Sequence, residues 1–271
     1  MSLIVADIKN IIEKLSPTKL KESYDNVGLM VGNLNKEVTN ILLALDCTLE
    51  VIEEAVEKKC NLIFTHHPLL FKKPSSITEE TLTGRKIIQL IRNDIDLYSA
   101  HTNLDSVEGG INDIVMKLLD FNNYVTMELS ESRDASDTKS GIGRLANLET
   151  PMSLKELCNR VKTSLGLSYL RYAGKEDMLV NKVAVINGSG QSYFQLAKKM
   201  GADCIITGDT SYHFVSDYME EGIGIIDSGH FASEWPAFKN TADYLQKCIK
   251  ELGYNNSVIV SDITKDPYKI F

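Results

Sequence analysis

The chain has 271 residues, 43% hydrophobic and 24% charged, an ordinary composition for a polypeptide that buries a core. Its 37 acidic residues against 29 basic ones leave a formal net charge of −8, which excludes the basic footprint that general nucleic-acid binding requires. No apolar run approaches the ~20 residues that span a bilayer, and Met1 to Asn10 lacks the basic-then-apolar pattern of a secretory signal, so a cytoplasmic protein with no membrane partner is expected.

Residues 5–15 predict an amphipathic helix with Ile8, Ile11, Ile12 and Leu15 on one face. The apolar run 40–46 predicts a buried strand, 49–59 a helix, and 61–65 a strand that ends at His66-His67-Pro68. A helix over 80–93 leads to a strand over 95–100 ending at His101, and Gly109-Gly110 then opens another helix. Residues 122–150 are polar with few periodic apolar positions; they predict a linker or domain edge, with a strand near 142–145. Ser153-x-x-Glu156 is a capping box that opens a helix over 153–165. A strand over 182–186 runs into Asn187-Gly188-Ser189-Gly190, read as a tight turn, and a helix over 192–200 ends at Gly201. The strand 204–207 leads to Gly208-Asp209, and the strand 223–227 leads to His230. One long helix over 233–252 closes the chain, with Pro236 in its first turn.

Strands alternating with helices predict an α/β fold with mainly parallel sheets. The expected organisation is a first α/β lobe at 1–125, a linker or lobe edge at 126–150 and a second α/β lobe at 151–271. The halves resemble one another: Asn61 to His67 aligns with Asp203 to Asp209, and His101-x3-Asp105 with His230-x3-Glu234.

The five cysteines are odd in number and none forms C-x-x-C, so a disulfide framework or thiolate zinc site is not expected, and most of them read as small buried thiols. Histidine carries more information. All five, His66, His67, His101, His213 and His230, follow apolar strand-like runs, and chemistry in α/β folds gathers at the carboxyl ends of strands. Two His-x3-carboxylate pairs plus His66-His67 supply six nitrogen and oxygen donors, suited to Zn, Fe, Mn, Co or Ni. Six donors exceed the needs of one tetrahedral zinc, and two ions roughly 3.5–4 Å apart activate a hydroxide for hydrolysis.

His66-His67-Pro68, His101-Thr102-Asn103-Leu104-Asp105 and Gly229-His230-x3-Glu234 resemble the NGG-interacting-factor-like family, whose members carry the label GTP cyclohydrolase I type 2 homologue. Asp25-Asn26-Val27-Gly28-Leu29, Gly109-Gly110-Ile111-Asn112-Asp113, Gly141-x-Gly143-Arg144 and Thr207-Gly208-Asp209-x-x-Tyr212-His213 extend the resemblance over nearly the whole chain. Tyr24 stands where the family usually has Trp. The resemblance implies two similar α/β lobes with a dinuclear metal site in the cleft between them. Carried over residue by residue, the metal ligands are His66, His67, Asp105, His230 and Glu234, with Glu234 as the bridge. His101 is expected beside the metals as ligand or support, and Asp209 and His213 in the same cleft. The resemblance further implies a ring-shaped homohexamer. The expected function is a metal-dependent hydrolase acting on a small molecule through a metal-bound hydroxide; cyclic-amide and phosphoester substrates fit the donors equally. The alternative is a non-enzymatic metal-storage, metal-delivery or regulatory interaction protein, distinguished by a closed ligand shell.

Overall fold

The computed structural model describes residues 2–270. In chain order the elements are α1 (Val5–Leu15), β1 (Gly28–Val31), β2 (Ile41–Ala44), α2 (Leu49–Glu57), β3 (Leu62–Thr65), α3 (Leu82–Arg92), β4 (Asp96–Ser99), α4 (Thr102–Ser106) and α5 (Ile111–Leu118). There follow β5 (Tyr124–Leu129), β6 (Gly141–Ser153), α6 (Leu154–Ser164), β7 (Arg171–Ala173), β8 (Leu179–Ser189), α7 (Phe194–Lys199), β9 (Cys204–Gly208), α8 (Tyr212–Glu220), β10 (Gly224–Asp227), α9 (His230–Phe238), α10 (Thr241–Glu251) and β11 (Val258–Val260). Among the described residues no helix is long and apolar enough to cross a membrane.

The chain forms two α/β units, each around its own sheet. One unit runs to Leu104 and resumes at Phe238; the other is Asp105–Ala237. In the first, the sheet order is β1-β4-β3-β2-β11. Strands β2, β3 and β4 are parallel and buried at every position, which is why β2 and most of β3 read as apolar runs, while β4 also buries Asp96 and Ser99. Thr48 and Thr81 cap α2 and α3 by accepting from Val51 and Gly84 N–H, and these helices turn Val51, Ile52, Ala55 and Leu90 into the core.

In the second unit the order is β5-β6-β8-β9-β10-β7. Its centre, β8-β9-β10, is parallel, but β5, β6 and β7 pair antiparallel, so this sheet is mixed where mainly parallel pairing was expected. The internal resemblance has a topological counterpart. Order β1-β4-β3-β2 in one sheet corresponds to β7-β10-β9-β8 in the other, each a parallel trio edged by an antiparallel strand.

Three expectations change. Of the two alternatives for 126–150, a linker or a lobe edge, the linker fails: β5 at the edge of the sheet pairs with β6 across it, and Arg144 on β6 is only 1% exposed, in a salt bridge with Asp113 of α5. The last helix is two. Gly229, at φ +83°, turns the chain so that α9 begins at His230; Pro236 then lies inside α9, without an N–H for the Ala232 carbonyl. The chain breaks after Phe238, whose carbonyl takes the Thr241 hydroxyl at 2.7 Å. Finally, α10 and β11 belong with the N-terminal elements. β11 pairs parallel with β2, and Asn256 Nδ2 donates to the Val38 carbonyl at 2.7 Å, so the unit boundaries differ from the expected 1–125 and 151–271.

The expected capping box forms: Ser153 Oγ accepts from Glu156 N–H and Glu156 Oε2 from Ser153 N–H. All five cysteines are free, and burial pushes the Cys47 thiol up to about 12 and the Cys158 thiol to about 11.

Candidate functional site

In the first unit, three imidazoles meet at the carboxyl ends of parallel strands. Thr65 and Ser99 are register partners on β3 and β4, and their hydroxyls lie 2.8 Å apart. The chains leaving these ends deliver His66 and His67 from β3 and His101 from β4. One ring nitrogen of each comes within 4.8 Å of the others.

Each ring is fixed through Nδ1. His66, fully buried, donates to the Ala100 carbonyl at 2.8 Å. His67 donates to Asp46 Oδ1 at 2.9 Å, just past β2, which pairs with β3. His101 donates to Asp25 Oδ1 at 2.9 Å, just before β1, which pairs with β4. A carbonyl and an ionised carboxylate only accept, so Nδ1 carries the proton in the neutral ring and Nε2 keeps its lone pair. This is how proteins orient metal-ligating histidines and raise their basicity.

Asp25 is held hard. Burial alone would raise its carboxyl, but the hydrogen bonds from His101 and from the Thr102 hydroxyl and N–H outweigh burial and bring it down to about 2. A folded value below the unfolded one means that these contacts stabilise the fold above roughly pH 4 and lose that contribution as pH falls toward 2. Asp25→Asn should therefore flatten the acid limb of a urea-unfolding series over that window. An acid limb as steep as that of the parent chain would assign the loss to other carboxylates.

In the second unit, Asp209 follows β9 and His230 follows β10, where Thr207 and Asp227 are register partners. His230 Nδ1 donates to Asp209 Oδ2 at 2.6 Å, and its Nε2 lies 3.1 Å from Glu234 Oε2, one helical turn along α9. Glu234 is 4% exposed. Gly188, at the end of β8, makes room for it: a Cβ there would lie 2.2 Å from Glu234 Oε1. The end of β8 at Gly188, where the sequence suggested a tight turn, is thus a wall against this carboxylate, and Gly188 N–H donates to Ser233 Oγ at 2.9 Å.

The His230–Glu234 contact tests the fit of a metal. With Nδ1 protonated, a lone pair on Nε2 faces a carboxylate oxygen, and two electron-rich atoms hold that separation only around a proton or a cation. Neighbouring ligands on an ion with bonds of about 2.1 Å lie about 3 Å apart, close to the observed spacing. The donors, neutral imidazole and carboxylate, suit the divalent ions named above.

Asp105 lies in α4, half-buried, and its carbonyl accepts from Asn112 Nδ2 at 2.9 Å. Asp209 holds His230. His213 is exposed at the start of α8 with its ring edge-on to Tyr212, and the structure brings it to neither cluster. Sequence reasoning did not assign the Nδ1 partners Asp25 and Asp46. Asp25 lay within a segment that carried the resemblance, and Asp46 closed a strand-like run.

The sequence profile described as Duf34/NIF3 (NGG1p interacting factor 3) matches residues 3–267. The chain belongs to the Duf34/NIF3 family. It is 53% identical over 269 residues to a Clostridium acetobutylicum protein named GTP cyclohydrolase 1 type 2 homolog, covering 99% of each chain. It is 54% identical over 263 residues to the Clostridium perfringens protein of the same name, covering 97% of this chain and 98% of the relative. Among solved structures, a Bacillus cereus protein related to NIF3 superposes with a TM-score of 0.91 at 25% identity, covering 100% of both chains. The Duf34/NIF3 segments Gly109 to Asp113 and Gly141 to Arg144 have a structural reading here: Asp113 accepts from Gly109 N–H and pairs with Arg144.

Proposed function

We propose that this protein is a dinuclear metal-dependent hydrolase of a small molecule, with His66, His67, Asp105, His230 and Glu234 as its metal ligands. The observation that carries the reading is the common state of four imidazoles: each Nδ1 is tied to a carbonyl or carboxylate, so each Nε2 keeps its lone pair. Divalent ions, when bound, supply Lewis acidity and make water nucleophilic near neutral pH. The chain's own part is to hold the rings in one tautomer, through Ala100, Asp46, Asp25 and Asp209, and to compensate charge with buried Glu234. Asp25, His101 and Thr102 form one hydrogen-bonded unit that keeps the His101 ring beside His66 and His67. The names of the clostridial relatives agree with hydrolytic ring opening as one candidate reaction.

The test is elemental analysis after reconstitution, followed by a screen of the loaded protein against nucleotides, phosphoesters and cyclic amides. About two ions per chain are expected, as in two-metal hydrolases, with affinity falling as pH drops through the imidazole range because a protonated ring cannot ligate. No retained ion would overturn the reading. Bound ions without turnover of any substrate would instead favour metal storage or delivery. The ring-shaped hexamer is part of the same proposal, and light scattering should give a mass six times that of the chain.

A further inference from the structure

The second unit holds a cavity of about 370 Å³, and none of the proposed metal ligands lines it. That volume is in the range of small-ligand pockets. Its lining includes Asp227, Thr210, Arg171, Tyr172, Tyr212 and Met219. Asp227, 4% exposed, is engaged at both oxygens: Oδ2 accepts from the Thr210 hydroxyl, the Thr210 N–H and Arg171 Nη2, and Oδ1 accepts from Gly229 N–H at 2.9 Å. Most of its acceptor capacity is used inside the fold, and its charge is already paired with Arg171. Arg171 differs. One edge of its guanidinium is turned to Asp227, while the side chain is 68% exposed and keeps further N–H donors for an anion.

Two tyrosines line the same cavity as that guanidinium. Tyr172 directs its hydroxyl to Glu176 Oε1 at 2.8 Å, so its polar end is already satisfied. Tyr212 is 80% exposed at the start of α8, a helix with no buried side chain among its described residues. Met219, on the same helix, adds a polarizable apolar wall. Aromatic side chains and a cation lining one cavity suit a flat ring bearing negative charge.

Asp227 also links this cavity to the metal donors. Its two oxygens hold Thr210, next to Asp209, and Gly229, next to His230, so one buried carboxylate ties together the two loops that form the His230–Asp209 pair.

We infer that this cavity binds a planar aromatic anion, with the anionic group on Arg171 and the ring between Tyr172 and Tyr212. Its role as the seat of the substrate rests on the hydrolase reading; its binding of such an anion does not. The experiment therefore uses metal-stripped protein and calorimetric titration with phenylphosphonate, with cyclohexylphosphonate and benzyl alcohol as controls. Phenylphosphonate should bind at one site per chain, and each control should bind at least fivefold more weakly. Arg171→Met should weaken phenylphosphonate binding tenfold or more, and Tyr212→Ala severalfold. Metal titration of Tyr212→Ala should match the parent chain, since Tyr212 touches no donor. Absence of phenylphosphonate binding, or equal binding by parent and both variants, would overturn the inference. Metal content and turnover, measured separately, decide the hydrolase reading, so the two can fail independently.

Discussion

Glu234→Ala should lower bound metal from about two ions per chain toward zero, while His67→Ala should retain about one. The carboxylate is buried and faces His230 Nε2 at 3.1 Å, in a space that Gly188 leaves open. Two dications held by imidazoles alone would repel without compensation, and a shared carboxylate offsets that charge. A single imidazole carries no charge, so its loss weakens mainly the ion it ligates. Glu234→Gln should fall between the two, since the amide keeps an oxygen donor and loses the charge. Circular dichroism must first show all three variants folded, because loss of structure would also release metal. Two ions retained with parental affinity in Glu234→Ala would remove Glu234 from the bridging role.

The largest loss of stability is expected from Asp113→Ala. Arg144 is buried to 1% exposure; its guanidinium meets Asp113 through Nε and donates through Nη1 to the Gly141 and Gly143 carbonyls at 2.8 and 3.0 Å. Asp113 also accepts from Gly109 N–H at 2.6 Å, at the start of α5. Removing the carboxylate leaves a buried cation without its counter-charge and strips the turn at Gly109 of its acceptor. Breaking such a pair costs about 3–5 kcal/mol. Arg144→Met should cost less, because a buried thioether chain needs no partner, although Asp113 then loses its cation. Urea unfolding of both variants gives the comparison. A midpoint for Asp113→Ala within experimental error of the parent would mean that water reaches Arg144 and solvates it.

The histidine placement was legible because parallel strands buried on both faces consist of continuous apolar residues, and the first polar residue after each run marks its carboxyl end. Leu62 to Phe64 is such a run, closed by Thr65 before His66, and around β4 the apolar Ile95, Leu97, Tyr98 and Ala100 lead to His101, with buried Asp96 and Ser99 between them. The His-x3-carboxylate spacing of His230 and Glu234 was equally legible, since i and i+4 share a helical face whatever the surroundings. The β5–β6 pairing was not. Along β5 only Met127 is buried, with Val125 and Leu129 exposed, so local hydrophobicity gives no strand signal and the hairpin rests on pairing across the Ser130 to Ser140 connection.

The break between α9 and α10 was hidden for a related reason. The apolar spacing of Phe238, Ala242, Leu245 and Ile249 continues in step across it, and only the turn at Gly229 moves Pro236 into a helix interior. Local sequence thus determined which side chains stand at strand ends and which donors share a helix face, because period and burial are written within a few residues. The tertiary structure decided what holds those donors. Asp25 reaches His101 from 76 positions away because β1 pairs with β4, and Asp46 reaches His67 because β2 pairs with β3. Gly188 admits Glu234 because β8 ends beside α9. Strand pairing sets these contacts through chain segments far apart in sequence, and no local pattern encodes which strand will lie next to which.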